Sequence, residues 1–398
     1  MVRILCFLLL LNCSSCYMIR AYKVRKFELT DPQRMPYVSI APSTTPYYFK
    51  QDTTENRYRD IKKYLDTSLP KSHTAAFLVI KNDSIIYERY FNGFTQQSKL
   101  PSFSVAKSFV STLVAVALME GKINSLQDPI TKYIPELYQK DQRYERITLQ
   151  HLLDMKSGLH FNEGSYGLKD DAIKLGFRPN IFRHVLKVKI DMEPGKKFRY
   201  QSINTELLAI AVQRATGKKV APYLQETLWQ PLGAEFEANW NVDSKRHKQE
   251  IAFAGLNATA RDFAKLGQLF IQKGQWQGKQ ILSPSWVSRV NNADSMEQAG
   301  GYKNQWWSEL SSIYFKDSLS ADQFRRQTPH SDQVNKTAKG YQVRYRTDAF
   351  NAEGLLNQFI YINPNSHVVI VRLGRYWYHP SMYANEFIYN LGNKLSSF

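Results

Sequence analysis

Apolar stretches near both ends of the chain are separated by turn residues in the manner of β-hairpins. Thr74–Ile80 and Ser84–Phe91 flank Lys-Asn-Asp, and Leu356–Ile362 and Val368–Leu373 flank Asn-Pro-Asn-Ser-His. Short apolar runs divided by such turns predict two hairpins. The two hairpins therefore predict a sheet that contains strands from both ends of the chain.

Elsewhere the apolar residues recur at helical spacing, and three of these stretches end next to glycine, as helices commonly do. Helices are predicted at Ser104–Glu120, Thr205–Thr216, Ala260–Lys273 and Ser381–Leu395. The order of elements predicts an α/β (α+β) fold. It comprises an antiparallel sheet flanked by helices, with a mostly helical domain at about 122–250 inserted into it.

Two segments lack clear periodicity. Residues 16–71 are rich in Pro, Thr, Tyr and charge, which predicts a tether and an entry segment that lead into a compact domain at 72–398. Residues 309–340 are polar and aperiodic, which predicts a long loop of the kind that is often functional or mobile.

The N-terminus has the layout of a secretory signal. Arg3 precedes an apolar run from Ile4 to Leu11, which is shorter than the ~20 residues of a membrane-spanning helix. The following Cys-Ser-Ser-Cys resembles a bacterial lipoprotein signal. Residues 1–15 are then the signal peptide and Cys16 the lipidated residue, with Cys13 or an ordinary cleaved signal as alternatives. We expect export and anchoring on a bacterial membrane, facing the periplasm or the cell exterior.

The amino-acid composition limits which partners, metals and cofactors we expect. The 398 residues are 43% hydrophobic with a net charge of +18, which indicates a folded protein with a basic surface suited to anionic lipid headgroups. The basic residues carry no nucleic-acid-binding signature, so nucleic acid is not an expected partner. The three cysteines all lie in the first sixteen residues, and no His-Glu-x-x-His motif is present. We therefore expect no metal site and no cofactor.

Two Ser-x-x-Lys sequences are candidates for a nucleophile and its base. Pro70 breaks any helix through Ser68 and Lys71, whereas Ser104 opens a strongly apolar helical run. In a helix, three residues place Ser104 and Lys107 on one face, where the amine can take the serine proton. The alternative is that Ser104 caps the helix and Lys107 extends from a core helix to solvent.

The surrounding sequence resembles a known superfamily. Leu-Pro-Ser-Phe-Ser104-Val-Ala-Lys107 is followed by Ile-Thr-Leu-Gln-His-Leu-Leu-Asp-Met-Lys-Ser-Gly-Leu-His-Phe-Asn-Glu163. These segments resemble the β-lactamase-related serine hydrolases, which include class C β-lactamases, penicillin-binding DD-peptidases and aminohexanoate-dimer hydrolases. The last group has Met where the usual motif has His. The resemblance implies the β-lactamase/transpeptidase-like fold, with the active site between its two parts.

The resemblance also implies roles for a tyrosine motif. Glu-Pro-Gly-Lys-Lys-Phe-Arg-Tyr200-Gln-Ser202 stands where the superfamily has Tyr-x-Asn or Tyr-x-Ser. Tyr200 is then the general base or shares a proton relay with Lys107, and Ser202 contacts the substrate or the relay. Glu163 holds a position that recurs in similar hydrolases, whereas Asp170 and Asp171 are expected on a solvated loop face.

A third motif of the superfamily, Lys-Thr-Gly or His-x-Gly, corresponds to Ala352-Glu353-Gly354. Ala352 departs from it, which argues against penicillin-like acids. The resemblance implies that the amides of Ser104 and Leu355 form the oxyanion hole. The resemblance also implies that four residues lie at the superfamily's substrate cleft and bind substrate: Gly354, Gln358, Trp306 and Trp307. For the last three, the alternative is that they pack within the sheet.

Together these features predict a serine hydrolase that cleaves an amide or ester of a small or peptide-like substrate through an acyl-enzyme on Ser104. The proton relay is Lys107 and Tyr200. The alternative is a catalytically silent cell-wall or ligand-binding lipoprotein of the same fold. The departure from the motif at Ala352 favours this alternative, whereas the presence of Ser104, Lys107 and Tyr200 argues against it. The residues do not separate amide, ester and β-lactam substrates.

Overall fold

The computed structural model describes residues 17–22, 27–54, 56–290, 301–328 and 331–398. The predicted signal peptide, Cys13 and Cys16 lie outside the described residues. By its internal contacts the chain forms two units, one of Met1–Pro46 with Ser98–Thr259 and one of Tyr47–Gln97 with Ala260–Phe398.

The strands, numbered in chain order, are β1 Tyr37–Ile40, β2 Lys50–Gln51, β3 Thr74–Lys81, β4 Ser84–Tyr90, β5 Leu100–Pro101, β6 Leu159–His160, β7 Lys189–Ile190, β8 Ala238–Asn241, β9 Leu256–Ala258, β10 Gln275–Trp276, β11 Lys279–Gln280, β12 Tyr302–Lys303, β13 Trp306–Phe315, β14 Asn335–Thr337, β15 Gly340–Gly354, β16 Gln358–Asn363 and β17 Val368–Gly374.

The α-helices are α1 at 17–22, α2 Arg59–Ser68, α3 Val105–Met119, α4 Pro135–Lys140, α5 Leu149–Leu153, α6 Asp171–Phe177, α7 Ile181–Val185, α8 Ser202–Thr216, α9 Val220–Leu224, α10 Ala260–Ile271, α11 Pro284–Val290, α12 Ser318–Gln327 and α13 Ala384–Leu395. Both predicted hairpins and all four predicted helices are therefore present, with ends shifted by a few residues.

The unit that contains Tyr47–Gln97 and Ala260–Phe398 is built on a nine-stranded sheet. Its order is β12-β13-β15-β16-β17-β3-β4-β2, with β14 paired to β15. All pairs are antiparallel except β2 with β4, which is parallel. Strands from both ends of the chain thus share one sheet, as the hairpin pattern predicted.

Helices cover both faces of this sheet, because successive side chains of a strand point to opposite sides. Val368 and Ile370 of β17 pack in one cluster with Phe387 of α13. Val369, between them, faces Gly267 of α10, where an added Cβ would lie 2.7 Å from Val369 Cγ1. The glycine therefore allows α10 to approach the sheet closely.

The unit that contains Ser98–Thr259 is mostly helical. α3 packs against α8, and residues 105–117 of α3 are buried throughout, so this helix forms the centre of the unit. A four-stranded sheet in the order β1-β8-β9-β5 and the small β6-β7 pair complete it.

Two predictions of irregular structure are wrong. Within the predicted tether, β1 pairs with β8 and α2 buries Ile61 and Leu65, so much of 27–71 is packed into the two units. Within the predicted loop at 309–340, β13 continues to Phe315, α12 follows, and β14 pairs with β15. The outer residues of β13 are half-buried or exposed, so they lack the alternation that would have indicated a strand.

Candidate active site

Ser104 stands at the N-cap position of α3, directly after a residue with unusual backbone geometry. Phe103 has a φ of 44°, a left-handed conformation that non-glycine residues adopt at a cost of about 1–3 kcal/mol and that is frequent at functional sites. The Ser104 side chain makes no capping hydrogen bond to the helix. Instead Lys107 Nζ donates to Ser104 Oγ at 2.8 Å. The hydroxyl is therefore paired with the amine, and the simple capping alternative does not describe it.

Lys107 is 1% exposed, so its amine does not reach solvent. Nζ also donates to the carbonyl of Phe253 at 3.2 Å, and it lies 5.0 Å from the ring centre of Tyr200 and 5.4 Å from that of Phe253. Burial lowers the pKa of Lys107 from 10.5 to about 8, against the opposing charges of Glu163 and Glu206. A neutral amine next to a serine hydroxyl is a competent proton acceptor near neutral pH.

Tyr200 lies in the loop before α8, held on both sides by Met155. The Met155 carbonyl accepts from Arg199 N at 2.9 Å, and its sulfur accepts from Gln201 N at 3.4 Å. The buried Gln201 side chain donates to the carbonyl of Phe161 at 2.8 Å. Met155, which replaces the more usual His of the motif, thus fixes the backbone on either side of the predicted relay tyrosine.

Ser202 is 1% exposed and bonded to a carboxylate. Its backbone N–H and its hydroxyl both donate to Glu163, at 2.5 and 2.7 Å. This pairing fixes Ser202 two residues after Tyr200, and its contact with the substrate or the relay stays a prediction. Glu163 in turn adds negative charge near Lys107.

Sequence reasoning missed Glu206, on the buried face of α8. Its carboxylate accepts from Ala252 N at 2.9 Å, next to the Phe253 carbonyl that receives the Lys107 hydrogen bond. Burial raises the pKa of Glu206 to about 8. A glutamate directly before the apolar stretch Leu207–Val212 of a predicted helix was the available signal.

Asp170 was expected on a solvated loop face, and the structure contradicts this. Asp170 is 3% exposed. Its Oδ2 accepts hydrogen bonds from the backbone N–H groups of Gly164, Ser165 and Tyr166 at 2.9–3.0 Å. Its Oδ1 accepts from Ala172 N and so caps the N-terminus of α6. The residue fixes the loop that follows Glu163.

The remaining predicted residues belong to the other unit. Gly354 ends β15, opposite Gln358 on β16. Leu355 begins a short 3₁₀ turn that contains Leu356 with a φ of 63°, so Leu355 is in a turn after the strand and not within it. Ala352 is 1% exposed and pairs with Ile360.

Two of the predicted substrate-binding residues are part of the core. Gln358 is fully buried, donates to the Gly374 carbonyl at 2.6 Å and accepts from Gly374 N at 2.9 Å. Trp306 is fully buried between Phe270 and Phe350, at ring distances of 4.9 and 5.4 Å. Sheet packing, the alternative, therefore describes both.

Trp307 is half-buried and packs edge-on against Tyr302, with ring centres 4.6 Å apart. Ser68, of the second Ser-x-x-Lys sequence, ends α2, and Lys71 is exposed in the turn that follows. This pair lacks the buried lysine that distinguishes Ser104 and Lys107.

Within the described ranges, no group of three or more His, Cys, Asp or Glu side chains is arranged to hold a metal ion. Across the same ranges, no helix combines the length and the apolar character needed to cross a membrane.

Comparison with known proteins gives a consistent match. The sequence model of the Beta-lactamase family matches residues 66–389. A 6-aminohexanoate-dimer hydrolase from Paenarthrobacter ureafaciens is 29% identical over 265 residues, which are 61% of this chain and 66% of that protein. Protein flp from Staphylococcus aureus strain N315 is 24% identical over 50% of this chain and 42% of its own length. The chain thus aligns with less than two thirds of either relative.

Solved structures show the same fold. A Bacillus anthracis protein, described as a candidate 6-aminohexanoate-dimer hydrolase, superposes with a TM-score of 0.67 at 26% identity, covering 91% of this chain and 89% of that one. A class C β-lactamase in complex with cefoxitin gives a TM-score of 0.55 at 16% identity, covering 85% and 96%. The predicted fold class is confirmed, and the chain belongs to the Beta-lactamase family.

Proposed function

We propose that this protein is an amidase or esterase that works through an acyl-enzyme on Ser104. The observation that carries the proposal is the 2.8 Å hydrogen bond between Ser104 Oγ and a fully buried Lys107 whose pKa is lowered to about 8. A lysine that is partly neutral near pH 7 can accept the serine proton, which a surface lysine cannot do.

The reaction has two halves. Ser104 Oγ attacks the carbonyl carbon as its proton passes to Lys107 Nζ, and the carbon–nitrogen or carbon–oxygen bond then breaks. The departing amine or alcohol takes a proton through Lys107 and Tyr200, whose ring lies 5.0 Å from Nζ. Water then attacks the ester on Ser104, gives its proton to the same relay, and releases the acid while the serine is restored.

Charge on the carbonyl oxygen is proposed to be stabilised by two backbone amides, those of Ser104 and Leu355. The N-terminal end of α3 supplies a favourable dipole at Ser104. The assignment of Leu355 rests on the family resemblance of Glu353-Gly354-Leu355.

The proposed substrates are small-molecule or peptide-like amides and esters. The relative from Paenarthrobacter ureafaciens is named for a dimer of 6-aminohexanoate, an amino acid whose condensation forms an amide, which supports the amide class. Ala352 stands where the superfamily has a cationic or polar residue, and its side chain is buried. The site thus lacks at this position the group that would hold a penicillin-like carboxylate.

The test is a panel of esters, linear amides and β-lactams assayed on the parent protein and three variants. We expect turnover of esters and amides above that of β-lactams, with a loss of about 10³-fold or more in Ser104→Ala and about 10²–10⁴-fold in Lys107→Met. Ser68→Ala, in the other Ser-x-x-Lys sequence, is the matched control and retains full activity. Well-folded parent protein that turns over nothing would instead favour the silent ligand-binding lipoprotein.

We further propose that the protein is exported and anchored to a bacterial membrane through a lipidated Cys16. The support is the sequence of the first sixteen residues alone. Mass analysis of the N-terminal peptide from the membrane fraction is expected to find acylated Cys16 in the parent and in Cys13→Ala. An unmodified peptide, or acylation that persists in Cys16→Ala, would contradict this assignment.

A further inference from the structure

An apolar cavity of about 280 Å³ lies in the same unit as Ser104, and the proposed mechanism does not use it. Its walls come from two segments far apart in sequence. The first contributes Ala21 and Tyr22 of α1 together with Phe27, and the second is the loop after Glu163 with α6. The main lining side chains are Tyr22, Phe27, Tyr166, Leu168, Ile173 and Phe177. None of its described lining residues is charged.

Aromatic contacts connect this cavity to the nucleophile. The ring of Phe27 packs edge-on against that of Phe103, with centres 6.0 Å apart, and Phe103 directly precedes Ser104. Phe27 also packs edge-on against Tyr166 at 6.5 Å. Tyr166 is three residues from Glu163, which bonds to Ser202 beside the relay. Both walls of the cavity are thus linked to groups of the proposed mechanism.

Specific contacts hold each wall in place. Asp170 accepts hydrogen bonds from three backbone N–H groups of the loop, including that of Tyr166 at 3.0 Å. On the opposite wall, Arg20 of α1 donates to the Asp243 carbonyl at 2.6 Å, and the Arg178 guanidinium lies 5.2 Å from the ring centre of Tyr17. The cavity is therefore bounded by fixed elements, as small-molecule sites usually are.

Several side chains around the cavity are more exposed than their apolar character favours. Tyr22 is 62% exposed, Tyr166 46% and Leu168 43%. Large apolar side chains grouped around a concave site typically mark a place where an apolar group binds.

We propose that this cavity is a subsite for the apolar part of the substrate, an alkyl chain or an unsubstituted aryl group attached to the amide or ester that Ser104 attacks. The inference rests on the proposed function and adds to it a substrate class. Phe27, from the segment that the sequence predicted to be a tether, is its specificity-determining residue. Burying each further methylene is expected to raise kcat/KM about fourfold until the cavity is full.

The experiment measures kcat/KM with two series of esters, one lengthened on the acyl side and one on the alcohol side, from two to eight carbons. In the parent, one of the two series should rise with chain length, and that series identifies which side enters the cavity. In Phe27→Ala the rise should largely disappear, so that a six-carbon chain, which has four more methylenes, loses roughly two-hundredfold more than the two-carbon chain.

Leu168→Ser guards against a folding artefact, because this side chain is exposed and its polar replacement is not expected to destabilise the protein. In Leu168→Ser, kcat/KM should also rise much less with the chain length of the ester than in the parent. Tyr138→Ala, which removes an exposed aromatic on α4 outside the cavity, is the matched control and should keep the parent slope. Chain-length dependence that is absent in the parent, or unchanged in both cavity variants, would overturn the subsite.

A binding measurement separates failure of the subsite from failure of the proposed chemistry. Calorimetric titration of Ser104→Ala with acetamide, with hexanamide and with N-hexylacetamide, which lengthen the acyl side and the amine side in turn, needs no turnover. Preference for one of the two long amides that is lost on adding Phe27→Ala supports the subsite even if the parent hydrolyses nothing. Equal affinity for all three amides, with an active parent, would reject the subsite and leave the proposed function standing.

Discussion

The depressed pKa of Lys107 predicts how the acylation rate depends on pH. The ordinary value of 10.5 falls to about 8 because the amine is fully buried. At 1.36 kcal/mol per pH unit, this difference favours the neutral amine by about 3 kcal/mol. At pH 7 about one molecule in ten then carries a neutral lysine, against about one in three thousand for an ordinary lysine.

If neutral Lys107 accepts the Ser104 proton, acylation rises with pH and levels off above the pKa. The rate of labelling by a fluorophosphonate serine probe, measured from pH 6 to 10, should increase about tenfold per pH unit, bend near 8 and then stay constant. Labelling of Lys107→Met should be slow at every pH, without this bend. A parent rate that is flat across the range, or that still rises tenfold per pH unit up to pH 10, would refute the reasoning.

Three further substitutions test the surroundings of the relay and the core. Glu163→Gln removes a negative charge that raises the pKa of Lys107, so the bend in the pH profile of labelling should move to lower pH. Met155→Leu keeps the apolar volume but removes the sulfur acceptor beside Tyr200, so kcat should fall several-fold while the thermal midpoint changes little. Trp306→Ala should cost about 3–5 kcal/mol of unfolding free energy in urea titrations, because this ring is fully buried.

Two of these expectations have a control variant. Glu136→Gln, which breaks a partly exposed ion pair with Arg214, should leave the pH profile in place. Trp307→Ala should destabilise less than Trp306→Ala, because Trp307 is only half-buried. The argument for Glu163 would be contradicted if the bend in Glu163→Gln moved to higher pH. The argument for Met155 would be contradicted by an unchanged kcat in Met155→Leu. The argument for Trp306 would be contradicted if both tryptophan variants lost the same unfolding free energy.

The parts of the fold that depend on local pattern were predictable. The Ser104–Lys107 contact follows from helical spacing alone, since three residues bring two side chains onto one face. The two hairpins follow from short apolar runs around turn residues. Tyr200 lies far from Lys107 in the sequence, so their proximity could be predicted only because the motif around Tyr200 resembles that of a known superfamily.

Pairings between distant segments were not predictable. β1 pairs with β8 some two hundred residues later, and nothing in the sequence around Tyr37 identifies that partner. The polar residues of β13 are held by β15, so a partner strand overrides their weak local preference. For Trp306, an aromatic residue in a motif is equally suited to a cleft wall or a core, and only burial distinguishes the two.

The most direct test of the central claim is the intact mass of the protein after exposure to a fluorophosphonate serine probe, compared among the parent, Ser104→Ala and Ser68→Ala. The account predicts a single adduct on the parent and on Ser68→Ala, and none on Ser104→Ala. An adduct that persists in Ser104→Ala, or no adduct on folded parent protein, would contradict the assignment of Ser104 as the activated nucleophile.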